Sequence, residues 1–498
     1  MKSFFMKKSD QQNFELFKLI LFSKNGLSVN LIAEKSDLSL NLIYRKLKVL
    51  DDDLAELFPH GHVRLIKNDI LFTIFLDNSI NVSFVIDTLR LHYIQQSHEY
   101  LIFHSVLLNY FISVEALSQK INLSVAQTYK SLNTINKVLS DFDIKLIFTR
   151  DKSRSNFQGL ETNIRLFLFY YYWSVFKGVV WPFRDSLAYL QDIDVPICNV
   201  SQSQKMRLKY YQTICAWRIL YRNKLIDLDP DFLEVIQLFN TIHPIKFSVD
   251  MNISGEALAQ EESYFGFLCR LFIYNTDTTA QKLDIATAFI ESDLPLSESC
   301  TFILDRVYAA YDIKPKREDY LFSYYALLIA LTSITYLSID NSEWLENDQN
   351  LSNLGTDFAD FPQIEIELSE LAQQLFLEAP YLCELKSKGF FTYIVYLFYF
   401  FIDSSKKSQQ LKICIQYSKN QITTAEMKKS LSSFFSSESI VFIDESEQSD
   451  ILISDCYEKD YPNENFFYFD NPLDKNEWQS LLKYVSNKLY KTIFYKQI

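Results

Sequence analysis

Near the start of the chain, apolar residues recur first at helical spacing and then at strand spacing. Residues 14–22 form an apolar helix pattern, and further helices are predicted after Ser28 and Ser39, which are suitable N-cap residues. Residues 62–76 then alternate between apolar and polar positions on either side of a polar turn, which is typical of a β-hairpin. Three helices followed by a hairpin is the order of a winged helix-turn-helix.

The same pattern returns 85 residues later. Placing Ser28 on Ser113 aligns SVNLIAEKSDLSLNLIYRKL with SVEALSQKINLSVAQTYKSL. The identical pairs are Ser28/Ser113, Val29/Val114, Lys35/Lys120, Leu38/Leu123, Ser39/Ser124, Tyr44/Tyr129 and Leu47/Leu132. An internal repeat of this kind is a stronger signal than either copy alone. The second copy also predicts a wing, with a strand at 144–148, a basic tip at 150–154 and a return at 157–159.

Helical patterns continue to about residue 405, and a polar linker at 403–408 separates them from a C-terminal region of short β runs and two helices. That last region predicts a small α/β domain with a largely parallel sheet. The predicted fold is therefore mainly α, with two winged helix-turn-helix units, two helical blocks and one α/β domain. The predicted boundaries are 1–80, 81–161, 162–292, 293–405 and 409–498.

The net charge of −13 is distributed unevenly along the chain. Residues 1–160 carry 19 Lys and Arg against 16 Asp and Glu, a net charge of +3. The remaining residues carry 30 against 46, a net charge of −16. A mildly basic head on an acidic body favours a protein that touches DNA with one end only.

The composition offers little to catalysis or to metal binding. The chain has only 8 Gly, and it contains no P-loop, no G-x-G-x-x-G, no G-x-S-x-G and no H-E-x-x-H. Its seven Cys form no C-x-x-C pair, which indicates reduced thiols in a cytosolic protein. His60 and His62 lack a third ligand nearby and are interpreted as a surface loop. We therefore predict no enzymatic activity, no cofactor and no metal site.

The hydrophobic segments predict a cytoplasmic protein that does not enter a membrane. The first residues lack the apolar core of a signal peptide. The most apolar run, residues 389–402, is short for a bilayer span, so a buried helix is the favoured interpretation.

The helix after Ser124 is predicted to enter the major groove of DNA, with its apolar positions packed inside. The positions predicted to be buried are Leu117, Leu123, Val125, Leu132 and Ile135. The predicted DNA contacts of the second copy are Ser124, Gln127, Thr128, Lys130, Ser131, Asn133 and Lys137 on the helix and Arg150, Lys152 and Arg154 on the wing. Those of the first copy are Asn41, Tyr44, Arg45 and Lys48. The acidic run at 51–53 weakens the prediction that the first copy binds DNA. Either copy could instead be a helical packing module.

This order of elements resembles that of the Mga-like virulence regulators of Gram-positive bacteria, including the RofA-like and AtxA-like branches. The resemblance covers essentially the whole chain and rests on architecture and helix-turn-helix spacing. It implies that the helical blocks are phosphotransferase-system regulation domains. It also implies that the C-terminal domain is similar to a sugar phosphotransferase IIB component and supports a homodimer.

In such relatives, histidines of the regulation domains are phosphorylated to report carbon supply, and this chain departs from that pattern. The second helical block contains no His, and family spacing from Glu262 places Cys269 where a histidine is common. The loop that would carry a phosphocysteine, at 417–420, has no Cys, and Cys414 lies inside the preceding strand. The resemblance therefore implies a IIB-like domain without transferase activity. It leaves His243 as the candidate phosphoacceptor. The alternative is that His243 is a loop or capping residue.

Together these features predict a homodimeric transcriptional regulator of virulence or surface genes that binds double-stranded DNA. The resemblance adds the phosphocarrier protein of the phosphotransferase system as a possible further partner. The alternative is a phosphorelay protein that acts through protein–protein contacts. An RNA-binding antiterminator is disfavoured because the chain begins with helices rather than with a small β-rich domain.

Overall fold

The protein is mainly α, with 66% of its described residues in helices. The computed structural model describes residues 5–23, 25–150, 155–183, 185–192, 200–273, 276–337, 361–379, 381, 388–405, 410–416, 421–437, 439–456, 461–472 and 474–495. The chain divides into two compact units: Met1–Leu296 with Leu328–Glu346, and Ser297–Leu327 with Asn347–Ile498.

The first repeat has the predicted three helices and a hairpin. Its elements are α1 Lys8–Leu21, β1 Leu27–Ser28, α2 Val29–Ser36, α3 Leu40–Leu57, β2 Val63–Asn68 and β3 Leu71–Leu76. The antiparallel sheet has the order β1-β3-β2. The Ser28 side chain accepts a hydrogen bond from the Leu31 amide and so caps α2. Asp37 ends α2 in the left-handed conformation, at φ 51°.

The second repeat follows the same order with one more helix on each side. Its elements are α4 Val82–Gln95, α5 His98–Leu108, α6 Val114–Ile121, α7 Val125–Ser140, β4 Lys145–Leu146, β5 Phe157–Gln158 and α8 Glu161–Phe176. Ser113 and Ser124 cap α6 and α7 with their side chains. Asn122 ends α6 at φ 55°, at the repeat position of Asp37, so both turns place a left-handed residue at the same position.

Helix α8 is buried on all sides, since fourteen of its sixteen residues are buried. On one side, the Phe167 ring lies 5.0 Å from that of Phe142, just beyond α7. On the other side, the Phe169 ring lies 5.0 Å from that of Phe272 in the helical region that follows. A helix that is apolar all round belongs to a core, so α8 is shared by the second repeat and the helical region.

The helical region continues through four helices in the first unit and two that reach the unit boundaries. These are α9 Gln202–Ala216, α10 Pro230–Ile242, α11 Gly255–Phe272, α12 Thr279–Ile290, α13 Pro295–Ala310 and α14 Arg317–Thr332. A π-helical turn, Trp217–Tyr221, extends α9, and another, Ser333–Leu337, extends α14. Among the described helices, Arg317–Leu337 alone is long and apolar enough to cross a membrane, but 67% of its apolar window is buried, as in a core helix.

The second unit ends in the predicted α/β arrangement. Its remaining elements are α15 Phe361–Glu378, α16 Lys388–Ser405, β6 Leu411–Gln416, α17 Gln421–Phe434, β7 Ile440–Ile443, β8 Ile451–Ser454, β9 Phe466–Tyr468 and α18 Lys475–Tyr495. The four strands are parallel, in the order β7-β6-β8-β9. Buried Ile413, Ile453 and Leu431 belong to the core between the sheet and its helices.

Candidate nucleic-acid interface

The buried side of α7 fixes which residues can face a ligand. Leu132, Ile135 and Leu139 are almost fully buried and set the helical phase. Thr128 and Ser131 lie on the same side and have no exposed surface, which corrects their prediction as DNA contacts. A polar side chain on the buried side of a helix needs a hydrogen-bond partner, and both hydroxyls have one.

The two buried hydroxyls connect α7 to the helices beneath it. Thr128 Oγ1 lies 3.0 Å from the hydroxyl of Ser118 in α6 and donates to the carbonyl of Ser124 at the start of α7. Ser131 Oγ donates to Glu99 Oε1 in α5 at 2.8 Å. These contacts position α7 against α5 and α6, so Thr128 and Ser131 are positioning residues.

The outer face of α7 carries most of the other predicted contacts. Ser124, Lys130, Asn133 and Lys137 are exposed. Gln127 is half-buried, and its amide lies 3.3 Å from the Ser131 hydroxyl.

Other exposed residues of α7 that the sequence prediction missed are Val125, Tyr129 and Thr134. Val125 was expected to be buried but is 40% exposed, because it is the first residue of the helix, where less of the core covers it. The repeat alignment with exposed Tyr44 is the signal that could have found Tyr129.

The first repeat presents all four of its predicted contacts, since Asn41, Tyr44, Arg45 and Lys48 are exposed on α3. Lys46, between them, is only 5% exposed. Its ammonium donates to the Ser9 carbonyl and to Asn13 Oδ1, both at 3.0 Å, in α1. Burial lowers the pKa of Lys46, with the Asp10 carboxylate acting in the opposite direction.

The second wing carries three of the predicted contacts. Arg150 is exposed at the start of the second wing, whereas Lys152 and Arg154 lie outside the described residues. The base of this wing is fixed by Asn156, whose amide donates to the carbonyls of Phe111, at 2.7 Å, and Ile147, at 2.8 Å.

His243 lies at the end of α10, away from the helix-turn-helix residues in sequence. Its side chain is 25% exposed, and its Nε2 lies 3.2 Å from Asp284 Oδ2 in α12. Arg270 Nη2 donates to the His243 carbonyl at 2.6 Å and is itself paired with Asp277. The backbone of His243 is therefore held in place while part of its ring stays accessible to a protein partner.

The cysteines named in the sequence analysis are not accessible nucleophiles. Cys269 has no exposed surface, and burial raises the pKa of its thiol well above the usual value. Cys414 is buried within β6. The loop at 417–420 lies outside the described residues.

A capped helix-turn-helix with an exposed polar and basic second helix, followed by a β wing, defines a DNA-binding helix-turn-helix protein. Residues 82–172 match the family model of the Mga helix-turn-helix domain. The matched segment begins at α4 and includes most of α8. This match supports a Mga-like transcriptional regulator that binds DNA. None of the curated proteins matches the chain.

Proposed function

We propose that the chain is a homodimeric transcription factor that binds duplex DNA through α7 and the second wing, assisted by α3. The observation that carries this proposal is the exposed face of α7, with Lys130, Asn133 and Lys137, inside the segment that matches the Mga helix-turn-helix domain. Lysines suit the phosphates, and the Asn133 amide can pair with a base edge. The remaining specificity then comes from DNA shape.

Dimer formation is the part of the proposal that explains affinity. The head of one protomer carries a net charge of only +3, which limits its attraction to a phosphate backbone. Two linked heads bind with an avidity that neither has alone. We propose that the C-terminal α/β domain, residues 409–498, holds the dimer together and that virulence or surface genes are the targets.

The test is a salt titration of duplex binding by the full-length chain, with Lys130 and Lys137 replaced by Ala. The two lysines together are expected to account for about 2 units of the slope of log K against log salt. The matched control is Lys205→Ala with Lys314→Ala, which removes the same charge from exposed positions of the helical region. Equal slopes in the two double variants would place the DNA surface elsewhere, and no duplex binding at low salt would remove the proposed function.

The contact between His243 and Asp284 favours a second candidate function, a phosphorelay or phosphorylation-controlled regulator. A carboxylate at one ring nitrogen orients the imidazole and leaves the other nitrogen to accept a phosphoryl group. The donor would be the phosphocarrier protein of the sugar phosphotransferase system. Phosphorylation of His243 could then regulate DNA binding or protein–protein contacts.

This second candidate is tested by labelling with phosphoenolpyruvate and the general phosphotransferase proteins. We expect acid-labile label in the wild type, none in His243→Gln and full label in His60→Gln, which changes an exposed histidine. Label that persists in His243→Gln excludes this acceptor. If the chain is labelled but binds no duplex DNA, the phosphorelay function becomes the favoured one.

A further inference from the structure

The two DNA-facing helices share an apolar pair at the same repeat positions. Leu40 and Val125, the first residues of α3 and α7, are 45% and 40% exposed. Tyr44 and Tyr129, one turn later, are 53% and 48% exposed. Single exposed apolar residues are common on protein surfaces. The same pair in both repeats is a pattern that the core does not explain.

Neither pair is needed to hold its helix in place. Residues four apart lie on one face of a helix, so each aliphatic residue and its tyrosine form a continuous patch. The core side of α3 is formed by other residues, with Ile43 and Leu47 buried in the first-repeat cluster. The patch therefore faces outward in both repeats and is available for a ligand.

The surroundings of the patch indicate which ligand it fits. Arg45 and Lys130 occupy the next position after the tyrosine in each repeat, and both are exposed. One turn beyond the tyrosine stand exposed Lys48 and Asn133. A short apolar patch bordered by cations and an amide is complementary to the polar, negatively charged edge of a nucleic acid rather than to an apolar protein face.

We propose that Leu40 with Tyr44, and Val125 with Tyr129, contact the C5-methyl groups of thymines in the major groove. The methyl group of thymine is the apolar feature on the major-groove edges of the four bases, and apolar side chains recognise it by contact. The patch selects sites with thymine at the positions that it covers. This inference rests on the proposed DNA-binding function and names what the same surface recognises.

The test replaces thymine by deoxyuridine, which differs only by the missing methyl group. The probe is a duplex that the full-length chain selects from a randomised pool. Each contacted methyl is expected to contribute about fourfold to affinity, from the transfer of one buried methyl-sized group. Deoxyuridine outside the protected footprint is the control and is expected to leave affinity unchanged.

Protein variants connect the effect to the patch. Val125→Ala is expected to weaken binding to the thymine duplex but to have little effect on the deoxyuridine duplex. Val180→Ala, which trims an exposed valine beyond α8, is the matched control and is expected to weaken neither. Light scattering on each variant reports the oligomeric state.

Two results overturn the inference while leaving DNA binding intact. One is equal affinity of the wild type for the two duplexes. The other is a loss in Val125→Ala that is the same on both duplexes or that accompanies a change in oligomeric state, which would make the patch a protein contact. Failure to enrich any duplex from the pool, by contrast, is failure of the proposed function itself.

Discussion

The two helix-turn-helix repeats solve the same positioning problem with different chemistry. In the first repeat, the buried ammonium of Lys46 connects α3 to α1. In the second repeat, the aligned residue is Ser131, whose hydroxyl connects α7 to Glu99 of α5. Both contacts tie the second helix of the helix-turn-helix to the helix that precedes the motif. The comparison teaches that this position needs a polar connection, while the residue type can change.

The repeats also differ in what completes their cores. The buried cluster of the first repeat is drawn from residues between Leu16 and Phe72, all within the repeat itself. The second repeat packs Phe103 and Phe142 against Phe167 of α8, at 5.5 and 5.0 Å. Because α8 is shared with the helical region, the second repeat depends on the rest of the unit more than the first repeat does, although the Phe5 ring before α1 also lies 5.3 Å from that of Tyr171 in α8.

A buried charge network connects α8 to the neighbouring helices. Arg165 pairs with Glu261 of α11, at 3.0 Å from Nη2 to Oε1, and with Glu161. Arg218 also pairs with Glu161, at 2.6 Å. Burial alone would raise the pKa of Glu161, but the two guanidinium groups outweigh it and hold that pKa below the usual value. The network is neutral overall, as four buried charges require.

The largest expected effect is that of removing α8. A chain ending at residue 160 should keep the first repeat folded, while α6 and α7 lose most of their protection because their apolar support is missing. Hydrogen exchange of the shortened and full-length chains checks this, helix by helix. If α7 is equally protected in both chains, the second repeat is as independent as the first and the contrast drawn above is wrong.

The next effect in size is that of breaking the charge network. Glu261→Gln leaves Arg165 buried with one carboxylate fewer, and losing one partner of a buried pair costs about 3–5 kcal/mol. The loss should appear in the second repeat and the helical region of the first unit, and not in the first repeat. Glu256→Gln, an exposed change in the same helix, is the control. Urea titrations followed by hydrogen exchange separate the regions, and a loss spread evenly over both repeats would contradict the expected dependence.

Much of this architecture could be read from sequence because it is local. The period of apolar residues and the repeat alignment predicted the helices and the hairpin. The site was predicted less well because residues were assigned to the exposed face by their polarity and not by their position around the helix. Thr128 and Ser131 are polar yet buried, and Val125 is apolar yet exposed.

Counting phase from Leu132, Ile135 and Leu139 would have assigned Thr128 and Ser131 to the buried side. It would not have found Val125, which shares the side of Leu132 and is exposed because it is the first residue of the helix. The charge network is a different case, because its bonded partners lie up to 96 positions apart in the sequence. No local pattern marks Arg165 as the partner of Glu261, which lies 96 positions away.

A smaller effect is expected from the two polar connections, and it tests whether they are equivalent. Lys46→Met leaves the Ser9 carbonyl and Asn13 Oδ1 without this donor, at a cost of about 1–3 kcal/mol. Ser131→Ala should cost less, about 1 kcal/mol, because half-buried Glu99 can regain water. Lys48→Met, at an exposed position two residues on, is the control for the first change. The denaturant midpoint of each variant is compared with that of the wild type. If neither midpoint changes, the two polar connections do not hold the helices.

The smallest expected effect is a pH dependence confined to the second repeat. His104 of α5 stacks on Tyr100, with ring centroids 5.1 Å apart, and burial lowers its pKa. Above the ordinary histidine pKa, about 6.5, folded and unfolded chains are both neutral at this position and the fold gains nothing from it. As the pH falls below that value, the unfolded chain takes up a proton that the buried ring resists, so the second repeat loses stability. In the first repeat, His60 is exposed, and the His62 side chain is 43% exposed and lies 3.5 Å from the Asp77 carboxylate. His104→Phe keeps an aromatic ring and should lose less stability between neutral and mildly acidic pH than the wild type, as measured by urea denaturation. If both proteins weaken equally, the acid sensitivity arises from other groups, and the repeats do not differ in this respect.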